Sequence, residues 1–138
     1  APVPDQPDLI QMRRGVRVSE HDLRLFDRAR GLAHLGEHRR VRVGAVLAKG
    51  ATTFRSGYNR TRNDGDNVPY GYATWHAERK VIEGVARNNC TLYVARLGLN
   101  NELLASWPCD ECMVHIVACD CVGKICFFDG QALVKVRL

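Results

Sequence analysis

Residues 91–128 read TLYVARLGLNNELLASWPCDECMVHIVACDCVGKICFF, and the architecture follows from this segment. Its two ends, Thr91–Leu97 and Lys124–Phe128, are short apolar runs of the kind that form strands. Between them, Cys109–Cys119 carries apolar side chains at helical spacing. A strand–helix–strand unit of this kind predicts two parallel strands joined by a right-handed connection.

The flanking sequence adds further helices and strands around this unit. Ser19 followed by Asp22 has the spacing of a capping box and predicts a helix from Glu20 to about Leu35. The remaining predicted elements are strands at Val41–Ala48, Thr53–Tyr58 and Leu133–Val136, a helix from His76 to about Arg87, and an exposed loop over Asn63–Gly71. The order α-β-β-α-β-α-β-β predicts an α/β fold in which helices cover both faces of a mixed sheet.

Length and composition indicate one globular domain. The chain has 138 residues, of which 46% are hydrophobic and 25% charged. We expect residues 19–138 to form the domain and the proline-containing residues 1–18 to be an N-terminal extension with little regular structure. No apolar run approaches the ~18 residues of a membrane span, and the N-terminal residues do not resemble a secretory signal. The sequence therefore predicts a cytoplasmic protein without a membrane span.

The positive charge of the chain is concentrated in its first half. The formal net charge is +5; residues 1–70 hold 13 basic and 8 acidic side chains, whereas residues 71–138 hold 7 of each. A basic face of this kind would attract phosphate groups, either on a nucleotide or on a nucleic-acid strand. A solvated, arginine-rich surface is the alternative interpretation.

Two short motifs carry the chemistry. His76 and Glu78 form an H-x-E motif, and Pro108, Cys109 and Cys112 form a P-C-x-x-C motif. One imidazole and two thiolates supply three zinc ligands, which leaves the fourth position of a tetrahedral ion for water. Both motifs lie at predicted helix starts. Glu78 is the carboxylate that could take a proton from that water and pass it to a leaving group.

A structural zinc ribbon is the alternative to a catalytic zinc. Its fourth ligand would be His115 or one of the other cysteines. A ribbon normally supplies a second C-x-x-C pair, and the spacing of Cys119 and Cys121 does not match one. His115 lies six residues after Cys109 and faces away from it on the predicted helix.

Four further cysteines lie in apolar surroundings. In a reducing compartment we expect them to remain free thiols that pack as small hydrophobic side chains. These residues are Cys90, Cys119, Cys121 and Cys126. A second, structural zinc site built from them is the alternative.

The motif H-x-E…P-C-x-x-C matches the signature of zinc deaminases. Over residues 19–136 the chain resembles the cytidine and deoxycytidylate deaminase superfamily. Within it, Val43–Val46 followed by Gly57–Asn59 looks like the first hairpin of deoxycytidylate and tRNA-adenosine deaminases. The run from Pro108–Cys112 into Ile125–Phe128 is most similar to the deoxycytidylate branch.

The resemblance implies a three-layer α/β/α cytidine-deaminase-like fold with a mixed, roughly five-stranded sheet. It also implies one catalytic Zn²⁺, held by His76, Cys109 and Cys112, and a hydrolytic deamination at C4 of cytosine in which Glu78 carries the proton to the departing ammonia. The implied substrate is a cytosine nucleotide or nucleoside, with dCMP favoured, and the product is the uracil compound. Members of the superfamily are often oligomeric, so a homo-oligomer is among the expectations.

The resemblance further assigns contacts to the substrate. The backbone N–H of Ala77 would hold the ring carbonyl, and Asn59 would hydrogen-bond the base or sugar. Backbone carbonyls near Ser106 and Trp107 would accept from the amino group that is replaced. Trp107 or Trp75 could form a wall beside the base. For Asn59 a turn residue at a strand end is the alternative.

Two departures from the deoxycytidylate branch leave the substrate open. Lys80 stands where that branch usually has Asn, and the run from Arg60 to Arg62 stands where the branch has Gly and Pro. Arg60 and Arg62 could contact the phosphate as bidentate donors, and a solvated loop is the alternative.

Two other functions are compatible with the sequence. A deaminase of cytosine or adenine within single-stranded DNA or RNA would use the basic first half and flip the base into the zinc pocket. The chain ends soon after its last strand, which counts against the tRNA-adenosine branch. A zinc-stabilised binding module without turnover is the second alternative, and Glu78 argues against it.

Overall fold

Three helices and eight strands form the part of the chain that the computed structural model describes, residues 16–37, 41–50, 52–61 and 74–138. The helices are α1 (Glu20–Ala33), α2 (Ala77–Ile82) and α3 (Asp110–Cys119). The strands are β1 (Arg42–Lys49), β2 (Thr52–Tyr58), β3 (Arg60–Thr61), β4 (Thr74–Trp75), β5 (Cys90–Leu97), β6 (Leu103–Leu104), β7 (Val122–Phe128) and β8 (Leu133–Arg137).

The main sheet is mixed and has five long strands in the order β2-β1-β5-β7-β8, with the short β6 paired to β5. Strands β5 and β7 are parallel, as the strand–helix–strand unit predicts, and the other pairs are antiparallel. A separate two-stranded ribbon joins β3 to β4 just before α2. The predicted mixed sheet of roughly five strands is confirmed.

Side chains alternate between the two faces of the sheet, and helices cover both. Leu92 and Val94 of β5 belong to the core under α2 and α3. Tyr93 and Ala95 belong to the core under α1. This alternation follows from the period of two in a strand, and it confirms the three-layer α/β/α arrangement.

Of the two predicted helix ends that the structure tests here, the end of α1 agrees with the prediction and the end of α2 does not. Helix α1 ends at Ala33, close to the predicted Leu35. Helix α2 ends at Ile82, so the predicted extension to Arg87 is wrong. Glu83 is extended and Gly84 has φ 71°, a conformation that glycine adopts without steric cost and that stops the helix.

A buried ion pair ties α1 to two strands of the sheet. The Asp22 carboxylate accepts hydrogen bonds from Lys135 Nζ at 2.7 Å, Tyr93 Oη at 2.6 Å and the backbone N–H of Ser19 at 2.8 Å. Burial alone would raise the pKa of Asp22, but the hydrogen bonds from Lys135, Ser19 and Tyr93 outweigh it and hold the pKa at about 2. This contact fastens the first helix to β5 and β8.

Parts of the N-terminal and loop predictions fall outside the described residues. Residues 1–15 of the expected extension and the predicted loop at 63–71 are among them. Residues 16–19 precede α1 without regular secondary structure. Within the described ranges, no helix combines the length and apolar character needed to cross a membrane.

Candidate active site

Two helix starts bring three potential metal ligands together. His76 is the residue immediately before α2, and Cys109 holds the same position before α3. The backbone N–H of Cys112 donates to Cys109 Sγ at 3.4 Å, which holds the Cys109 thiol at the start of α3. His76 Nδ1 lies 3.1 Å from Cys112 Sγ and 3.9 Å from Cys109 Sγ, and the three donor atoms lie within 4.8 Å of one another.

This donor set fits zinc. A tetrahedral Zn²⁺ with bonds of about 2.0–2.3 Å to nitrogen and sulfur separates its ligand atoms by about 3.5–3.8 Å, and the observed separations bracket that range. In the part of the chain that the structure describes, this is the one group of three such side chains found close together. His115, Cys119 and Cys121 lie outside the group, so it supplies three ligands rather than the four of a structural site.

Cys112 is fully buried beneath this cluster. Burial raises the pKa of the Cys112 thiol, and the neighbouring Glu78 and Cys109 raise it further. A cation between the three donors reverses this preference, because a coordinated thiol loses its proton. Cys112 would therefore bind a cation as the thiolate, with release of its proton.

Glu78 lies in the first turn of α2 and is buried, with 6% of its surface exposed. Burial raises the pKa of its carboxyl; its own backbone N–H and the charges of His76 and Arg96 act in the opposite direction. Buried carboxyls of this kind exchange protons closer to neutral pH than exposed ones. Glu78 is not one of the three clustered donors, but its charge acts on the Cys112 thiol.

A family model for the cytidine and deoxycytidylate deaminase zinc-binding region matches residues 19–128. The chain belongs to this family. The family and the donor set together establish a zinc-dependent hydrolytic deaminase of the cytidine type, with one Zn²⁺ as cofactor. A comparison with curated proteins found no match.

In this deaminase, Asn59 is buried and much of its side chain is engaged. Oδ1 accepts from the backbone N–H of Val43 at 2.8 Å, and Nδ2 donates to the carbonyl of Val41 at 3.0 Å. These bonds hold the end of β2 against the start of β1. They use the amide oxygen and one of the two N–H donors of the side chain.

Ser106 fastens the segment that leads to the second motif. Its hydroxyl donates to the carbonyl of Val94 at 2.7 Å and accepts from the backbone N–H of Phe128 at 2.9 Å. The neighbouring Trp107 packs edge-on against Phe127, with ring centroids 4.8 Å apart. The short stretch before Pro108 is thereby held to β5 and β7.

Replacing Ser106 by Ala is expected to lower the free energy of unfolding by about 2–3 kcal/mol. The change leaves the N–H of Phe128 and the carbonyl of Val94 without this partner in a buried place. Ser56→Ala, at an exposed position of β2, is the matched control and should change stability by less than about 0.5 kcal/mol. Urea denaturation of both variants measures the difference; equal small effects would contradict the bridging role.

The other expected contact residues are distributed around the site. Ala77 is buried at the first position of α2, where a backbone N–H has no partner within the helix. Arg60 is exposed, pairs along the backbone with Trp75, and has its Nε 4.0 Å from a Glu37 carboxylate oxygen. Arg62 lies outside the described residues.

Arg96 is a residue near the site that the motifs do not identify. It is exposed near the end of β5, and the strand period places it on the same face as Leu92 and Val94, the face covered by α2 and α3. Its charge reaches the Glu78 carboxyl. Strand parity counted from Leu92 and Val94 places it on this face, but β5 is buried on both faces, so parity alone does not identify Arg96 from the sequence.

The four remaining cysteines are free thiols. Cys90, Cys121 and Cys126 are buried, as expected for residues that pack in the core, and Cys119 is half-buried. Among the described residues they form no group of three close metal-binding side chains, which does not favour a second zinc site.

Proposed function

We propose that this chain deaminates a free cytosine nucleotide or nucleoside, with dCMP as the favoured substrate, to the uracil product and ammonia, and that residues 19–138 are the unit that does so. The observation that carries the proposal is the buried Glu78 carboxyl, which lies two residues after His76 and whose charge acts on Cys112, both members of the cluster of three potential ligands.

The proposed roles follow from the chemistry of each group. His76, Cys109 and Cys112 would hold the zinc. When bound, the ion supplies Lewis-acid chemistry that makes water nucleophilic at neutral pH. Glu78 would accept the proton of the attacking water and deliver it to the amino nitrogen at C4, so that ammonia leaves.

Neighbouring groups would orient the base. The backbone N–H of Ala77 would donate to the ring carbonyl, because a helix start leaves this donor unused. The second Nδ2 hydrogen of Asn59 would donate to the base or sugar. Trp107, fixed by Phe127, would form an apolar wall and limit the access of water.

The basic residues support a phosphate on the substrate. We assign the phosphate contact to Arg96, on the face of the sheet that carries the site, together with Arg60 and Arg62, which follow Asn59. A guanidinium binds phosphate oxygens through two parallel hydrogen bonds. This assignment favours a nucleotide over a nucleoside.

A deaminase of bases within single-stranded nucleic acid is the second candidate, favoured by the net charge of +5 in residues 1–70. Ammonia release from dCMP, dCTP, cytidine, deoxycytidine, adenosine and a short oligonucleotide tests both. Turnover of dCMP with little turnover of the oligonucleotide is expected. Turnover of the oligonucleotide alone, with binding that weakens steeply as salt rises, would replace the first proposal by the second.

Arg96→Ala is expected to raise the KM for dCMP by about 10–100-fold, because a hydrogen bond to a charged group contributes about 1.5–3 kcal/mol. The KM for deoxycytidine, which lacks the phosphate, should change little. Arg24→Ala, an exposed arginine of α1 on the opposite face, is the matched control. An equal rise for both substrates would remove Arg96 from the phosphate contact.

A further inference from the structure

A pair of thiols lies at the far end of α3 from the metal-binding cluster. Cys119 is the last residue of α3, and Cys121 comes just before β7. Their sulfur atoms are 2.9 Å apart. Because ten residues of helix span about 15 Å, this pair is separate from Cys109 and Cys112.

The backbone between the two thiols has the shape that a disulfide needs. Asp120 is in the left-handed conformation, with φ 59° and ψ 10°, and so turns the chain sharply. Two Cα atoms separated by one residue are at most about 7 Å apart when extended, and this turn brings them closer. Disulfides require Cα atoms about 4.4–6.8 Å apart.

Local hydrogen bonds keep the two sulfur atoms together. The backbone N–H of Cys121 donates to Cys119 Sγ at 3.4 Å, and Cys119 Sγ donates to the carbonyl of Ile116 at 3.1 Å. Cys119 is half-buried and Cys121 is buried. One thiol is thus within reach of a small molecule in solution, and the second is held directly behind it.

We propose that Cys119 and Cys121 are a thiol–disulfide exchange site that forms a reversible bridge with small-molecule disulfides. A bridge between residues two positions apart closes a small, strained ring. Strained bridges are reduced more readily than relaxed ones, so small thiols would open it again.

The reaction has two exchange steps. The Cys119 thiolate attacks one sulfur of the small disulfide; its S–S bond breaks, a mixed disulfide forms, and one small thiolate leaves. The Cys121 thiolate then attacks Cys119 Sγ, the internal bridge forms, and the second small thiolate leaves. The protons of both cysteines pass to the two released thiolates, and the two electrons reduce the small disulfide.

The order of the steps follows from burial. Burial raises the pKa of Cys121 to about 12, with its contact to Cys119 adding to the effect. At neutral pH Cys121 therefore remains almost entirely a thiol. Only the deprotonated sulfur attacks a disulfide, so Cys121 does not carry out the first step. Cys119 is therefore the attacking thiol and Cys121 the resolving one.

The test uses the full chain loaded with zinc. The protein is treated with oxidised glutathione, denatured in N-ethylmaleimide to label every free thiol, digested and sequenced by mass spectrometry. Cys109 and Cys112, protected by zinc during the oxidation, are expected to carry the label. Cys119 and Cys121 are both expected to lack the label. The peptide that contains them should be two hydrogen atoms lighter than the same peptide with these two thiols reduced and unlabelled. Treatment with dithiothreitol should restore the labelling of both.

Single variants separate the two roles. Cys121→Ser is expected to accumulate glutathione on Cys119, whereas Cys119→Ser should leave Cys121 as a labelled thiol. Cys90 is a buried thiol whose backbone N–H donates to the carbonyl of Cys121 at 2.9 Å, and Cys90→Ala should leave the bridge intact. Persistent labelling of both cysteines in the unmodified chain, a reaction that stops at the mixed disulfide, or a bridge from Cys121 to Cys90 would overturn the proposal.

Discussion

Glu78→Gln is expected to lower kcat for deamination by about 10²–10⁴-fold while the protein keeps its zinc. The amide has nearly the size of the carboxyl and fills the same buried space, but it cannot accept a proton from water or pass one to the leaving amino group. Ammonia release measures the rate, and metal analysis of the purified variant measures zinc content.

The matched control is Glu83→Gln, which makes the same change at an exposed position just after α2. It should leave kcat and zinc content unchanged. Because Glu78 is not among the three clustered donors, loss of zinc from Glu78→Gln would contradict its assignment as a proton carrier. Unchanged turnover would contradict the proposed mechanism as a whole.

The fold is largely predictable because its main signals are local. The central strands β1 and β5 are buried on both faces and read as continuous apolar runs in the sequence. The capping box at Ser19 determines where α1 begins. The metal-binding cluster is predictable for the same reason. His76 and Cys109 each precede a helix, and helix starts at one end of a sheet meet in space.

Features that depend on distant pairing were not predictable. Asp22 and Lys135 are 113 positions apart, and no pattern in either neighbourhood identifies the partner. Ser106 likewise gives no local sign that its hydroxyl joins β5 to β7. The early end of α2 arises from an extended Glu83 within a sequence whose apolar spacing continues to Val85.

Polar residues near a site are the hardest to assign from sequence. Asn59 was predicted to contact the substrate, and the structure shows that its amide oxygen and one of its two N–H donors hold β1 to β2. Backbone carbonyls near Ser106 were predicted to contact the substrate, and the hydroxyl of Ser106 itself joins β5 to β7. A residue can support the site and the fold together, and only its bonding partners reveal how its donors are divided.

Asp22→Asn is expected to lower the free energy of unfolding by about 3–5 kcal/mol. The change removes the negative charge and leaves the Lys135 ammonium, only 12% exposed, without its counter-charge. Tyr93 can still donate to the amide oxygen, so the packing is preserved. Chemical denaturation at neutral pH measures the loss, with Asp27→Asn, an exposed position of the same helix, as the matched control.

The loss should depend on pH in a defined direction. The folded pKa of Asp22 is about 2, below its ordinary 3.8, so its ionised form stabilises the fold above pH 4. The contribution of this ionisation to the free energy of unfolding is about 2 kcal/mol for a shift of this size. It disappears as the pH falls from about 4 to 2. The difference between the unmodified chain and Asp22→Asn should narrow over this range, and the contributions of other carboxylates cancel in the comparison.

A second substitution distinguishes two causes of the stability loss in Asp22→Asn, an unpaired buried charge on Lys135 and altered packing. Lys135→Met removes the ammonium and keeps an unbranched apolar chain of similar length. If the stranded ammonium causes the loss, the double variant Asp22→Asn/Lys135→Met should be more stable than Asp22→Asn alone, since apolar replacements of buried ion pairs are often neutral or stabilising. A double variant that is as unstable as the sum of its single changes would mean that the pair acts through shape rather than charge.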